Sequence, residues 1–268
     1  MAQRDERARA EREPLIRRLS LAQRIQHWAL VGSFIALALT GIPLRFPDFA
    51  PLARLYDALG GIAVARLVHR VGAVVMTLAA LAHLVYALGL LARARGDVRK
   101  AWPMLPAWRD VSDWWETSMY YIGRRATLPA YDRHHYREKL HYFAVLWGVP
   151  VMVLSGLVLW FPIFFGNWLP DRALGMAYIA HSDEAILAVC VVILWHMYNV
   201  HVSPGAYHRF MTWIDGKITR QEWIIHHSLE AERTTGTPTS AEERTRLLEE
   251  SLLPPAARSG RATDDPTP

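Results

Sequence analysis

Residues 173–201 read ALGMAYIAHSDEAILAVCVVILWHMYNVH. This stretch is long and apolar enough to cross a membrane as a helix, which needs about 20 mainly apolar residues. His181 and His196 lie fifteen residues apart in it, which is roughly 22 Å along a helix axis at about 1.5 Å per residue. The net rotation between them is only about 60°, so both imidazoles face one side. The stretch predicts a membrane helix with two levels of histidine.

Three other stretches have the same character. We expect the four spans at about residues 25–46, 66–92, 140–162 and 173–201. On the second span, His69 and His83 lie fourteen residues apart, again on one face because the rotation is about −40°. Two facing imidazoles suit a six-coordinate haem iron that carries electrons. The histidine pairs therefore predict an all-α, integral membrane four-helix bundle with two b-type haems.

Basic residues near span ends indicate the orientation of the chain. The net charge is +5, and residues 1–24 alone contain seven arginines. The loop 93–139 is also strongly basic, whereas the other two connections carry few cations. We expect both termini and this loop on the cytoplasmic side of a bacterial inner membrane, in contact with lipid and not with nucleic acid. This divides the chain into a basic segment 1–24, a cytochrome domain 25–227 and a polar tail 228–268.

An internal repeat relates the first and third spans. Both HWALVGSFIALALTGIPLRFP (27–47) and HYFAVLWGVPVMVLSGLVLWFP (141–162) open with His and an aromatic residue. Each then reaches a hydroxyl residue followed by Gly and ends in Phe-Pro. Because a span with paired histidines follows each copy, the chain reads as two parallel hairpins. The repeat pairs His69 with His181, His83 with His196, and His27 with His141.

The remaining segments carry less chemistry. The loop 93–139 is rich in Trp and Tyr, and it predicts a short interfacial helix over about 110–122. The polar tail beyond Leu229 predicts disorder. Histidines in polar segments are expected to be solvated. They are His134, His135, His208, His226 and His227. The single cysteine, Cys190, excludes a disulfide framework, and without a Cys-x-x-Cys-His motif any haem is held by coordination alone.

The ligands of the second haem stay open on these grounds. Near the depth of His196 lie three candidates, His27, His83 and His141, of which the repeat favours His83. His201 is rotated about 140° from His196 and lies about 7.5 Å further toward the headgroups. A quinone or lipid contact suits it better than a place on the iron.

Several motifs resemble those of the membrane cytochrome b (gamma) subunits of respiratory formate dehydrogenases and of the related hydrogenase cytochromes b. The resemblance covers about residues 17–227. Its most specific pieces are RIQHW (24–28), ALTGI (38–42), LVHRVGAV (67–74), VLSGLVLWFP (153–162), IAHSDEAILAVCVVILWHMY (179–198) and IDGKI (214–218).

The resemblance implies four spans and two haems b that pass electrons between a periplasmic iron–sulfur subunit and a membrane quinone. His69 and His181 match the ligands of the periplasmic haem, and His27 and His196 those of the cytoplasmic haem. We therefore expect His27 at the second iron, with His83 as the alternative. His83 and His141 are additional to the family pattern and leave a third haem open.

Two further expectations follow from the resemblance. The interval from His181 to His196 is one residue longer than the family pattern, which predicts a local bulge or a shifted ring. The segment YREKLHYF (136–143) matches a quinone-facing loop. This makes Glu138 and Lys139 candidates to hydrogen-bond a quinone, along with His201.

The predicted function is a dihaem cytochrome b of a respiratory oxidoreductase complex, with no catalytic residue of its own. It would carry electrons between a periplasmic iron–sulfur or multihaem cytochrome subunit, which serves a catalytic subunit, and the quinone pool. The alternatives are a histidine-lined transporter of metal ions or protons, and a membrane anchor without redox function.

Overall fold

The computed structural model describes residues 15–202 and 211–253. The helices of these residues are α1 (Leu21–Arg45), α2 (Ala50–Ala58), α3 (Ile62–Arg93), α4 (Val98–Ala101), α5 (Trp108–Tyr121), α6 (Tyr136–Trp160), α7 (Pro162–Gly166), α8 (Ala173–Cys190), α9 (Thr212–Asp215), α10 (Arg220–His226), α11 (Ser228–Thr235) and α12 (Ala241–Leu252). A π-helical segment, Val191–Val202, follows α8 directly. The strands β1 (Ile16–Arg17) and β2 (Lys217–Ile218) pair antiparallel.

In the described part of the chain, four helices are long and apolar enough to cross a membrane: α1, α3, α6, and α8 with its π-helical segment. The four predicted spans are thus confirmed, and three of them begin about four residues earlier than expected. Large apolar side chains on these helices are exposed, for example Val85 at 69% and Leu194 at 72%. Such a surface requires lipid around it, because a soluble protein rarely exposes so much contiguous apolar area.

The chain forms two compact units. The span unit comprises Ala22–Pro103 and His141–Met197. The polar unit comprises the described residues of Met1–Leu21, Met104–Leu140 and Tyr198–Pro268. Both levels of histidine predicted from the spans lie in the span unit.

Small residues let the helices of the span unit approach each other. A Cβ on Gly72 of α3 would lie 3.2 Å from Leu37 Cγ and 3.5 Å from the carbonyl oxygen of Ser33, both on α1. A Cβ on Gly148 of α6 would lie 2.6 Å from Glu184 Oε1 on α8. Close helix contacts at small residues are typical of membrane bundles. They join α1 to α3 and α6 to α8, which gives the two hairpins of the repeat.

The polar unit contains helices where the sequence predicts a disordered tail. Residues beyond Leu229 continue in α11 and form α12, whose first turn is capped by Ser240 Oγ accepting from the Glu243 backbone N–H. Their apolar side chains are spaced for burial, since Leu248 of α12 packs with Leu128 and Ile225. The tail beyond Leu229 is mostly polar, so its few apolar side chains did not indicate this small core in the sequence. Residues 254–268 lie outside the described part of the chain.

Two histidines of the polar unit are buried, although the sequence predicts that they are solvated. His135 and His227 are only 5% and 6% exposed. His135 packs between the rings of Tyr131 and Tyr136, with centroids 4.1 and 4.3 Å away. Burial lowers the pKa of His227 to about 4, against the opposing effect of the nearby Glu138 carboxylate. His208 falls outside the described residues.

The predicted short helix over 110–122 is α5, which has an apolar exposed face. Trp108 is 86% exposed, while Asp113 and Thr117 are buried on the opposite face. Burial raises the pKa of Asp113 to about 6, although Arg109 acts to lower it. Aromatic side chains on the outside of a polar unit suit the headgroup region of a bilayer. This distribution is what an interfacial helix requires.

Candidate haem-ligand pairs

His69 on α3 and His181 on α8 face each other. Their ring centroids lie 6.3 Å apart, with 60° between the ring planes. A metal–imidazole bond is about 2 Å, and each centroid lies about 1 Å from its nitrogen, so two imidazoles on opposite sides of one metal have centroids about 6 Å apart. The separation of His69 and His181 therefore leaves room for an iron between them.

The surroundings of these two rings repeat the same contacts. Thr40 Oγ1 lies 2.9 Å from His69 Nδ1, and Ser155 Oγ lies 3.0 Å from His181 Nδ1. The glycine after each hydroxyl residue also touches the ring: a Cβ on Gly41 or Gly156 would lie 3.1 Å from the imidazole Cε1. The hydroxyl–glycine dipeptide of the sequence repeat thus contacts a histidine ring in both copies. In both copies Nδ1 contacts a hydroxyl oxygen, and Nε2 makes no hydrogen bond within the described residues.

His196 lies opposite His27, near the start of α1. The ring centroids are 6.4 Å apart, with 43° between the planes. This spacing also fits an iron between two imidazoles. His196 belongs to the π-helical segment Val191–Val202, the local irregularity that the longer interval from His181 predicts. Such segments occur often at functional sites.

His141, on α6, stacks on His196 instead of facing it across a gap. The centroids are 4.7 Å apart and the rings are within 24° of parallel. This separation is too short for a metal bonded to both rings, which needs about 6 Å. His141 Nδ1 is buried and has no hydrogen-bond partner among the described residues.

His83, the ligand favoured by the repeat, uses both ring nitrogens for hydrogen bonds. Nδ1 lies 3.1 Å from Gln26 Oε1, and Nε2 lies 2.7 Å from the Tyr142 hydroxyl. Trp102 Nε1 donates to the same hydroxyl at 2.6 Å. The structure thus surrounds His83 with hydrogen-bonding side chains, whereas His196 has His27 and His141 as its ring neighbours.

The three quinone candidates lie in the polar unit. Lys139 Nζ pairs with Asp110 Oδ1 at 2.8 Å. Glu138 Oε2 lies 3.3 Å from Arg18 Nη2 and 3.5 Å from His134 Nδ1, and Oε1 lies 4.0 Å from His227 Nε2. His201 is in the last turn of the π-helical segment. Glu138 is therefore the centre of a group of cationic and titratable side chains, while Lys139 has a carboxylate partner.

Sequence reasoning missed the roles of several neighbours. Thr40 and Ser155 appear in the repeat, and the signal that marks them is a hydroxyl–glycine dipeptide at the same place in both copies. Gln26 and Tyr142, each adjacent to a span histidine, have no comparable signal. Their contact with His83 depends on how the helices are rotated, which the sequence pattern does not determine.

Comparison with known proteins identifies the family. The model of the prokaryotic cytochrome b561 family matches residues 18–212. The chain belongs to this family. The match covers all four spans and both histidine pairs, so the protein is a membrane cytochrome b, and haem b is the cofactor that the family implies.

Named relatives of this cytochrome b are similar over most of their length. The cytochrome b556(Fdn) subunit of the nitrate-inducible formate dehydrogenase of Escherichia coli K12 is 21% identical over 80% of the chain and 88% of the relative. The cytochrome b556(fdo) subunit of the same organism is 24% identical with the same coverage. The formate dehydrogenase cytochrome b556 subunit of Haemophilus influenzae is 23% identical over 76% and 77%.

Proposed function

We propose that this cytochrome b holds two haems and carries electrons between a periplasmic redox subunit and the membrane quinone pool. His69 and His181 would bind the iron of one haem, and His27 and His196 that of the other. The haems supply reversible one-electron chemistry when bound. The observation that carries the proposal is the pair of ring separations, 6.3 and 6.4 Å.

Both pairs join the two hairpins of the repeat. Each takes one histidine from the first hairpin, on α1 or α3, and one from α8 or its π-helical continuation. The two levels on the fourth span are roughly 22 Å apart along the axis. Two haems at these levels would cover most of the thickness of the apolar layer, about 30 Å. This spacing suits transfer of electrons from one face of the membrane to the other.

The orientation follows from charge. With the basic N-terminal segment and the loop 93–139 in the cytoplasm, the His69–His181 pair belongs to the periplasmic side and the His27–His196 pair to the cytoplasmic side. The relatives are named as subunits of formate dehydrogenase. A periplasmic iron–sulfur or multihaem subunit with a catalytic subunit is therefore the partner that we propose, in a bacterial inner membrane.

Quinone would react on the cytoplasmic side of the membrane, with Glu138, Lys139 and His201 as its contacts. A quinone takes up or releases protons as it changes redox state, so its site needs groups that exchange protons. Glu138, with His134 and His227 near its carboxylate, is such a group. Lys139 and His201 would then orient the ring or the headgroup.

The test is a haem count on the purified protein and on single histidine variants. A pyridine haemochrome assay should give two haems b per chain. His181→Ala should remove one haem, His27→Ala should remove the other, and each should leave the spectrum of the remaining haem in place. His83→Ala should keep both, because its nitrogens already have hydrogen-bond partners.

Other outcomes would contradict parts of this proposal. His83→Ala could lose a haem while His27→Ala keeps both. His83, which the repeat favours, would then be the partner of His196 at the second haem. Three haems per chain would assign iron to His83 and His141. A colourless protein that binds zinc or conducts ions would favour a transporter, and a colourless protein that still docks its partner would favour an anchor.

A further inference from the structure

The hydroxyls of Thr40 and Ser155 make three hydrogen bonds each: two to backbone carbonyls of their own helix, which share the hydroxyl proton, and one to an imidazole. Thr40 Oγ1 donates to the Ala36 carbonyl at 2.6 Å, and Ser155 Oγ donates to the Val151 carbonyl at 2.6 Å. Both acceptors lie four residues earlier on the same helix. A hydroxyl has one proton to donate and two lone pairs to accept with. Since the proton is used within the helix, each oxygen faces its histidine as an acceptor.

This arrangement determines which nitrogen of each imidazole carries the proton. Nδ1 of His69 and Nδ1 of His181 must each be N–H, because they lie against oxygens that can only accept. Nε2 is then deprotonated on both rings.

The two hydroxyls differ from other hydroxyls in the spans. Ser33 on α1 and Thr77 on α3 also donate to the carbonyl four residues earlier, at 2.7 Å each. That bond is therefore the ordinary way in which a membrane helix satisfies a hydroxyl. Contact with an imidazole is the added feature of Thr40 and Ser155. It occurs in both copies of the repeat, with a tight glycine beside it.

We propose that Thr40 and Ser155 are a matched pair of positioning residues that hold both imidazoles of one haem as Nδ1–H tautomers and lower the reduction potential of that haem. The inference rests on the proposed ligand role of His69 and His181. An Nδ1–H hydrogen bond fixes the ring orientation and makes Nε2 a stronger electron donor. A stronger donor favours ferric over ferrous iron, and a hydrogen bond to an iron ligand is one of the protein's means of changing the reduction potential of a haem.

The experiment is a redox titration of Thr40→Val, Ser155→Ala and the double variant, followed by difference absorbance. Valine keeps the shape of threonine and removes the acceptor. The haem that disappears in His181→Ala should titrate at a higher potential in each single variant and higher still in the double variant. The other haem should not shift. The low-spin ferric EPR signal of the affected haem should move as well, because the rings lose their fixed orientation.

Two further variants separate tuning from general damage. Thr40→Ser keeps the hydroxyl and should titrate like the unmodified protein. Ser33→Ala removes a buried hydroxyl from the same helix without touching a histidine, and it should shift neither haem. Ser155→Ala removes a single oxygen, so it provides the comparison if Thr40→Val fails to retain its haem.

Failure of the tuning role can be distinguished from failure of the ligand assignment. Full haem content with an unchanged potential in Thr40→Val and Ser155→Ala would overturn the tuning role and leave the ligands as proposed. An equal shift in Ser33→Ala would also overturn it. Retention of both haems in His181→Ala would instead overturn the ligand assignment, and the tuning role with it.

Discussion

Replacing Gly41 by alanine should weaken the haem held by His69 while leaving the fold intact. A Cβ at this position would lie 3.1 Å from His69 Cε1 and 3.6 Å from Nδ1, whereas ordinary contact begins at 3.4 Å. The ring must therefore retreat by 0.3 Å (3.4 − 3.1). In the apoprotein the ring can turn aside. With haem bound, Nε2 must point at the iron, so the contact strains the bound state.

The magnitude can be bounded. Adding a methyl group to a tightly packed site costs about 1–3 kcal/mol. At about 1.4 kcal/mol per factor of ten, this is a loss of about 5- to 150-fold in haem affinity. The backbone effect of the substitution is opposite in sign, because alanine favours a helix over glycine by about 1 kcal/mol. The control variant must therefore also replace a helical glycine by alanine, so that it gains the same helix stability.

Gly32→Ala is the matched control. Gly32 lies on the same helix, and a Cβ there would meet nothing within 4 Å. The assay is titration of the apoprotein of each variant with haemin, followed by the absorbance of the low-spin form. Gly41→Ala should bind one of two haems more weakly than Gly32→Ala does. Equal affinities for both haems would refute the argument that this glycine makes room for a ligand ring.

Two other predictions concern the polar unit. Burial raises the pKa of Asp113 from its ordinary 3.8 to about 6. The folded state therefore holds this proton more tightly than the unfolded state, and stability falls as pH rises from about 4 to about 6, by about 3 kcal/mol at most. Asp113→Asn should raise the thermal unfolding temperature at pH 7.5, where the buried carboxyl of the unmodified protein is ionised. The increase should be smaller at pH 4.5. An equal increase in unfolding temperature at the two pH values would contradict the buried-acid explanation. Glu138→Gln should slow quinone turnover in membranes several-fold with both haem spectra unchanged. Glu116→Gln, which removes an acid paired with Arg125, is its control, and equal slowing there would remove Glu138 from the proton path.

The spans and one of the histidine pairs could be predicted because they depend on short-range patterns. Hydropathy locates a span within a few residues, and helical rotation shows that His181 and His196 share a face. The pairing of His69 with His181 follows from the repeat, since the same local motif, a hydroxyl followed by glycine, seats both rings. These inferences need only the sequence within one hairpin and its copy.

Contacts between distant segments could not be predicted. Arg18 forms ion pairs with Glu230 and Glu138, partners more than a hundred positions along the chain, and no periodicity connects them. The helices α11 and α12 were hidden for a related reason. Each buries few apolar residues, and these become a core only when segments from three parts of the chain pack together.

The ring neighbours of His196 show that the internal repeat does not predict every contact. A strict repeat would give His83 and His196 equivalent surroundings. Instead, His83 has Gln26 and Tyr142 at its two nitrogens, and His196 has His27 and His141 as ring neighbours. The two copies have diverged at this level and stayed alike at the level of Thr40 and Ser155. A repeat argument is therefore reliable only where the residues around the histidine are repeated too.

The π-helical segment compensates for one difference between the copies, the extra residue between the two histidines of the fourth span. In an α-helix, fifteen residues would rotate His196 about 60° from His181, whereas fourteen rotate His83 about −40° from His69. A turn with i→i+5 hydrogen bonds takes about one more residue than an α-turn. The segment begins at Val191, so more than one widened turn precedes His196 and absorbs about one residue. The inserted residue is thus accommodated in the backbone, and the imidazole returns to the face that His181 presents. The π-helical segment therefore keeps the two levels aligned despite the longer interval.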